Sequence, residues 1–225
     1  MAEIIRKAGD VLVTVNVVPA RSMASFVPKG ARIHELLPGM ACYAVGLFHY
    51  SRLYDPRPGQ EANDFHDCYD AGILIPVEYP GRKTVMHVMR LCNSDPAVVE
   101  WAESAHLAKR GVAVQWTETD GRIDVVATAE NNERYITSAT PLMPLPGAAW
   151  RMWPFSLFAR GHMAREQAGK MWSFAFHVGT DGAKSWLVRG KSRLEGFDLP
   201  KPWMSTTVLV RGFTPFTMWE GEAIG

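Results

Sequence analysis

Short apolar runs alternating with polar positions dominate the chain. In residues 11–17, Val11, Val13, Val15 and Val17 recur at every second position, the period of a half-buried strand. Residues 44–49, 73–79 and 84–91 read the same way. In the last of these, Val85, His87, Met89 and Leu91 share one face, opposite Thr84, Met86, Val88 and Arg90. Residues 112–118 and 122–128 flank Thr119-Asp120-Gly121, where Asp-Gly predicts a hairpin turn. Residues 171–178 and 184–189 flank Gly179-Thr180-Asp181-Gly182, which predicts a second hairpin, and 205–211 and 213–219 add strands near the end.

One segment breaks this rhythm. In residues 95–111, Asp95 suits an N-cap, Pro96 the first helical position and Gly111 the terminator, predicting a helix over 96–110. At 100° per residue, Val98, Ala102, Ala105 and Lys109 fall on one line of its surface, flanked by Trp101 and Ala108. A short turn is expected near 21–26, a loop or brief helix at 160–170, a long polar loop at 53–72, and a linker at 139–150 where Pro141, Pro144 and Pro146 cluster. The pattern predicts an α+β protein: one β-rich, antiparallel, barrel-like domain over 1–225 with few helices.

Composition narrows the function classes. Lys plus Arg number 24 against 23 Asp plus Glu, and the basic residues are scattered, which disfavours nucleic acid or an anionic membrane as partner. Eight tryptophans and eleven methionines suit a pliable apolar interior or a pocket for a bulky or aromatic ligand, although Trp150, Trp153, Trp172, Trp186, Trp203 and Trp219 are core residues by default. Cys42, Cys68 and Cys92 are odd in number and lack CxxC spacing, as expected of reduced thiols in a cytoplasmic protein. The first residues lack the apolar core of a signal peptide, and no apolar run approaches the roughly 20 residues of a membrane span.

Lys109 is the first candidate for chemistry. A free lysine with pKa about 10.4 is neutral in about one molecule in 2,500 at pH 7, so a nucleophilic amine needs burial and a neighbouring cation. Arg110 adjoins it in sequence; the alternative is a solvated lysine that complements the helix dipole. Asp70, at the entrance of the strand from Ile73, is placed either to serve as acid or base in a cavity or to cap a turn. His106, three positions before Lys109, is a candidate proton carrier or an ordinary half-exposed helix histidine, and His87 reads as a satisfied core histidine. The His, Cys and carboxylates of 60–70 match no metal-binding spacing, so no metal is expected. No GxSxG, Walker A, GxGxxG or HExxH pattern occurs.

Ile75-Pro76-Val77, Met86-His87-Val88-Met89-Arg90-Leu91, Asp95-Pro96-Ala97, Glu103-Ser104-Ala105 and Lys109-Arg110-Gly111 together resemble the acetoacetate decarboxylase family. Phe26-Val27-Pro28 after the first strand, and Leu199-Pro200 before the strand at 205–211, extend the likeness over nearly the whole chain. The resemblance implies a barrel-like fold, a homo-oligomer and cofactor-free Schiff-base chemistry, in which a lysine amine turns a ketone into an iminium. It also implies Lys109, Asp70 and His106 as catalytic residues, with Arg110, Met89 and Trp101 contacting substrate. The departures are specific. Without a gap, the family's nucleophilic first lysine aligns with Ala108 and Lys109 with its second; one glutamate corresponds to Asp70, a second falls among Ala44, Val45 and Gly46, and an N-terminal arginine falls near Gly9.

The expectation is a lyase acting on a keto acid or bulky ketone through a lysine Schiff base, by decarboxylation or aldol and dehydration chemistry. Two alternatives accompany it. One is an imine-independent hydratase, isomerase or cyclase using Asp70 and His106; the other is a non-catalytic small-molecule binding protein.

Overall fold

The alternation seen at 11–17 belongs to one long strand, β1 (Glu3–Pro19), paired antiparallel on both sides, with β3 (Met40–Tyr54) and β13 (Met204–Trp219). The computed structural model describes residues 3–55, 63–81, 84–146, 160–179, 182–219 and 221–224. Its remaining strands are β2 (Arg32–Ile33), β4 (Asp64–Phe65), β5 (Cys68–Glu78), β6 (Val85–Asn93), β7 (Arg110–Thr119), β8 (Arg122–Ala129), β9 (Arg134–Leu145), β10 (Arg160–Gln167), β11 (Lys170–Val178), β12 (Lys184–Glu195) and β14 (Glu222–Ile224). Helix α1 (Pro96–Ser104) and a 3-10 helix at Ala20–Phe26 complete the described structure. None of the described helices is long and apolar enough to cross a membrane.

The hydrogen-bonded order β6-β7-β8-β9-β12-β13-β1-β3-β5 returns to β6 and closes a nine-strand barrel. Strands β10 and β11 span from β6 to β13 by another route, so β13-β1-β3-β5-β6-β10-β11 forms a second, seven-strand circuit. Five strands are common to both circuits and are buried on both faces. Strand alternation therefore sorts their side chains between two cores. Val11, Val13, Val15 and Val210 join Phe174, Phe176, Met86 and α1 in one, while Leu12, Leu209, Ile73, Ile75, Ile123 and Tyr135 fill the nine-strand barrel.

A strand buried on one face only was expected for β1; instead its polar residues are buried and partnered. Thr14 bonds the Thr207 hydroxyl at 2.9 Å, and Ser205 donates to Asn16 Oδ1 at 2.7 Å. The Asp120-Gly121 turn is a hairpin as predicted, both residues having positive φ, 51° and 75°.

Other expectations are corrected. Among the described residues β11 and β12 do not pair with each other; each pairs with β13, so the strands flanking 179–182 do not form the expected hairpin, and 180–181 lie outside the described residues. Residues 160–167 form strand β10, edge-on to β6 and β11. The expected loop at 53–72 contains the end of β3, all of β4 and the start of β5, with 56–62 outside the described residues. The expected linker is strand as far as Leu145: Pro141 and Pro144 sit opposite Val188 and Trp186, on either side of a bulge in β9 at Leu142, a setting that tolerates missing N–H groups; 147–150 lie outside the described residues. His87 is buried, but its Nδ1 lacks a hydrogen-bond partner among the described residues, and burial with the Arg165 charge pushes it down to about 4, leaving it neutral.

Gly9 is required by close approach. The register of β1 shifts there against both neighbours, and a Cβ on Gly9 would lie 1.9 Å from the His49 carbonyl oxygen. Gly9→Ala is expected to cost about 2 kcal/mol or more, because the β1–β3 ladder must part to admit the methyl group. An unchanged urea midpoint for this variant would contradict the packing described.

Candidate active site

Four strands and one connecting segment bring charged groups to a single point inside the seven-strand circuit. Asp70 on β5 lies opposite Phe48 of β3 and Asn93 of β6. Its Oδ1 accepts from Asn93 Nδ2 at 2.7 Å and from Lys109 Nζ at 2.6 Å, and its Oδ2 accepts from Lys109 Nζ at 2.8 Å and from Lys7 Nζ at 3.3 Å. Lys7, just before the Gly9 irregularity of β1, also donates to the Tyr50 hydroxyl at 3.1 Å and lies 4.4 Å from the centre of that ring. The side chains of Asp70 and Lys109 are each 1% exposed and that of Lys7 is 6% exposed.

Lys109 is buried for a reason helical periodicity does not contain. Helix α1 begins as predicted, with Asp95 accepting from the Ala97 N–H and Pro96 in the first turn, but stops at Ser104. His106 adopts a left-handed φ of 58°, Leu107 N–H bonds the Ala102 carbonyl and His106 N–H the Glu103 carbonyl. This double-bonded helix end is one that glycine usually supplies. Beyond it the chain is extended. The Ala108 N–H donates to Gln167 Oε1 at 3.2 Å and its carbonyl accepts from Arg165 at 3.1 Å, so β10 pins the backbone. With Ala108 held, the neighbouring side chains diverge: Lys109 points inward and Arg110 outward to solvent.

These charges border a cavity of about 90 Å³, whose other lining is almost wholly apolar and includes Phe48, Leu74, Met86, Val88, Phe176 and Phe213. Burial works against ionisation of Asp70, but the ammonium groups of Lys109 and Lys7, with hydrogen bonds from Lys109 and Asn93, outweigh it and hold the carboxyl down at about 2. Burial lowers the Lys7 ammonium; Asp70 opposes this and the Lys109 charge adds to it, leaving Lys7 at about 8. Burial, reinforced by Asp70, pushes Tyr50 well above the usual phenol range, so its hydroxyl keeps its proton. Two lysine amines, one of them lowered by burial, a carboxylate and a phenol thus face one enclosed, mainly apolar space. That set can add an amine to a carbonyl and handle the protons involved.

Searches with the sequence find no match among protein-family models or curated proteins. Solved structures do match. Acetoacetate decarboxylase from Legionella pneumophila superposes with a TM-score of 0.69 at 11% identity, covering 100% of this chain and 88% of that one. The enduracididine biosynthesis enzyme MppR complexed with pyruvate gives 0.67 at 14% identity, covering 100% and 91%. An acetoacetate decarboxylase-like enzyme from Sphingomonas wittichii gives 0.62 at 11% identity, covering 100% and 93%. The chain has the acetoacetate decarboxylase-like fold. This agrees with the β-rich, barrel-like architecture expected from the sequence.

Within this acetoacetate decarboxylase-like fold, two of the residues singled out from sequence, Asp70 and Lys109, meet at the cavity. The others lie elsewhere. His106 is half-buried and stacks on Trp172 with ring centres 3.7 Å apart, outside the cavity lining, because its left-handed backbone turns it away from Lys109. Arg110 is exposed. Met89 is half-buried against the nine-strand core, on the far face of β6 from Met86 and Val88. Trp101 lies on the buried face of α1, its indole N–H donating to Asp55 at 2.8 Å. None of the described tryptophans lines the cavity, and Trp203 is largely exposed, against the expectation of a tryptophan-rich pocket and core. No group of three or more His, Cys, Asp or Glu side chains among the described residues is arranged to hold a metal ion.

Lys7 was not recognised in the sequence. The signal was present: the odd-numbered alternation Val11, Val13, Val15 extends back through Gly9 to Lys7, near where the family's N-terminal arginine falls.

Asp70→Asn leaves two buried lysines without their carboxylate and is expected to destabilise the protein by about 3 kcal/mol or more, read from urea midpoints at pH 7. The acid dependence follows from the depressed pKa. Between about 2 in the folded protein and about 3.9 when unfolded, the unfolded chain binds more protons. The stabilisation from Asp70 is therefore complete above pH 4 and is lost as the pH falls through 2. This component of the midpoint-versus-pH curve should be absent from the variant.

Proposed function

We propose that the protein is an acetoacetate decarboxylase-like lyase that converts a keto acid or a bulky ketone to an iminium of a buried lysine. The observation that carries this reading is the enclosure of Lys7, Lys109 and Asp70 together at a cavity whose other lining is mainly apolar. MppR, complexed with pyruvate, is a neighbour in fold that holds a keto acid, which favours a carbonyl substrate here. The homo-oligomer implied by the family resemblance stays part of the proposal, and the reading needs no cofactor because the iminium is itself the electron sink.

The chemistry balances as follows. The lysine nitrogen bonds the carbonyl carbon and the carbonyl oxygen leaves as water, so that ammonium and ketone become iminium and water. Two of the three ammonium protons depart with the oxygen. In a β-keto acid the bond to the carboxylate then breaks, its electron pair moves toward the iminium to give an enamine, and CO₂ departs. A proton adds to carbon, and water hydrolyses the iminium to ketone and amine. The same enamine adding to an aldehyde gives the aldol and dehydration variant. An imine-independent reaction through His106 is disfavoured, since His106 lies against Trp172 and outside the lining.

Iminium formation and hydrolysis exchange the carbonyl oxygen with solvent. A keto acid or ketone labelled with ¹⁸O should lose its label faster with the protein than with buffer, and this acceleration should vanish in the Lys7→Met/Lys109→Met double variant. Turnover of a substrate without label exchange would refute the imine.

A further inference from the structure

We infer that, within the imine chemistry proposed above, the iminium forms on Lys7 of the first strand and that Lys109 is its cationic neighbour. Family alignment points to the 108–109 segment for the nucleophile; the geometry reverses that assignment.

Lys109 is chelated. Its Nζ donates to both oxygens of Asp70, at 2.6 and 2.8 Å, in a place where its side chain is 1% exposed. Charge-assisted bonds of this length hold the proton on nitrogen, and removing it would abandon two of them at once. An amine must offer a lone pair to attack a carbonyl, so the chelated ammonium is the poorer nucleophile. It is well suited to stay charged.

Lys7 faces the same Asp70 from the other side, at 3.3 Å from a single oxygen, with the Tyr50 hydroxyl at 3.1 Å and the cavity in front of it. Two ammonium groups and one carboxylate buried together carry a surplus positive charge. Losing a proton from Lys7 makes the group neutral while leaving the Lys109–Asp70 pair intact. The lowered value of about 8 for Lys7, caused first by burial and then in part by Lys109, agrees with this division. Tyr50 supplies the remaining function. As a protonated hydroxyl beside Lys7 Nζ, it hands a proton to the oxygen of the zwitterionic adduct and recovers one from the nitrogen, giving the neutral carbinolamine; the proton that Lys7 gave up on becoming neutral then returns to the carbinolamine hydroxyl, which leaves as water, and the iminium remains.

The wild-type protein is incubated separately with pyruvate, acetoacetate and cyclohexanone in the presence of cyanoborohydride, digested, and mapped by mass spectrometry. The expected result is a reduced adduct on Lys7 with at least one probe, abolished in Lys7→Met and retained in Lys109→Arg, which keeps the charge. An adduct on Lys109 in the wild type overturns this inference and leaves the imine reading standing. Absence of an adduct on either lysine with all three probes overturns both.

Discussion

The Lys109–Asp70 ion pair is the constraint on which the site depends. Two charges with side chains 1% exposed have surrendered their hydration, and only their mutual contact, the Asn93 amide and the second ammonium of Lys7 compensate. Each element carrying one of these groups is thereby held in register. Strand β5 must present Asp70 beside Asn93 of β6, the turn after α1 must deliver Lys109, and β1 must reach Lys7 across the Gly9 bulge. An apolar wall around them lowers the effective dielectric, which strengthens the pair and penalises any further charge. The penalty falls on Lys7, whose ammonium burial lowers to about 8.

The fold makes such a place possible by sharing strands between two closed circuits. A single barrel would give β1, β3 and β13 one buried and one solvated face. Here both faces are covered, and the outer circuit of β10 and β11 encloses a smaller space in which a cavity persists beside Phe176 and Phe213. The same outer strand fixes the chemistry through backbone contacts, since Arg165 and Gln167 of β10 grip Ala108 and so decide which way Lys109 faces. The acetoacetate decarboxylase-like fold is thus shared with solved structures at 11–14% identity. The lysine on β1 stands near where the family resemblance places an arginine, and an alanine stands where its first lysine aligns.

The gains and failures of sequence reading follow from range. Strands with regular alternation, such as 11–17 and 122–128, were legible because period-two burial is a local property of the backbone. So was the start of α1, where Asp95 and Pro96 act on adjacent peptide groups. The end of that helix was not. Its termination by a left-handed His106 competes with a helix-compatible sequence up to Arg110, and the contacts of Ala108 with β10, more than 50 residues away, accompany the extended course that follows. Of the two readings of Lys109, on an apolar face or solvated at a helix end, the structure has the side chain buried against Asp70, but beyond the helix, so helical periodicity did not apply. The expected hairpin at 179–182 failed likewise, because glycines mark a turn without naming the strand that pairs next.

The amino-acid sequence by itself determined that the chain is strand-rich, that a buried strand runs on from Ile73 after Asp70, and that Asp95 and Pro96 start a helix, since each depends on the chemistry of near neighbours. Tertiary structure alone decided that Lys7, Asp70 and Lys109, drawn from positions as far apart as 7 and 109, share one dry space, and that Arg110, His106, Met89 and Trp101 do not line it. The physical reason is that burial and charge coupling are properties of enclosure. They exist only once distant strands have closed around the same point and excluded water.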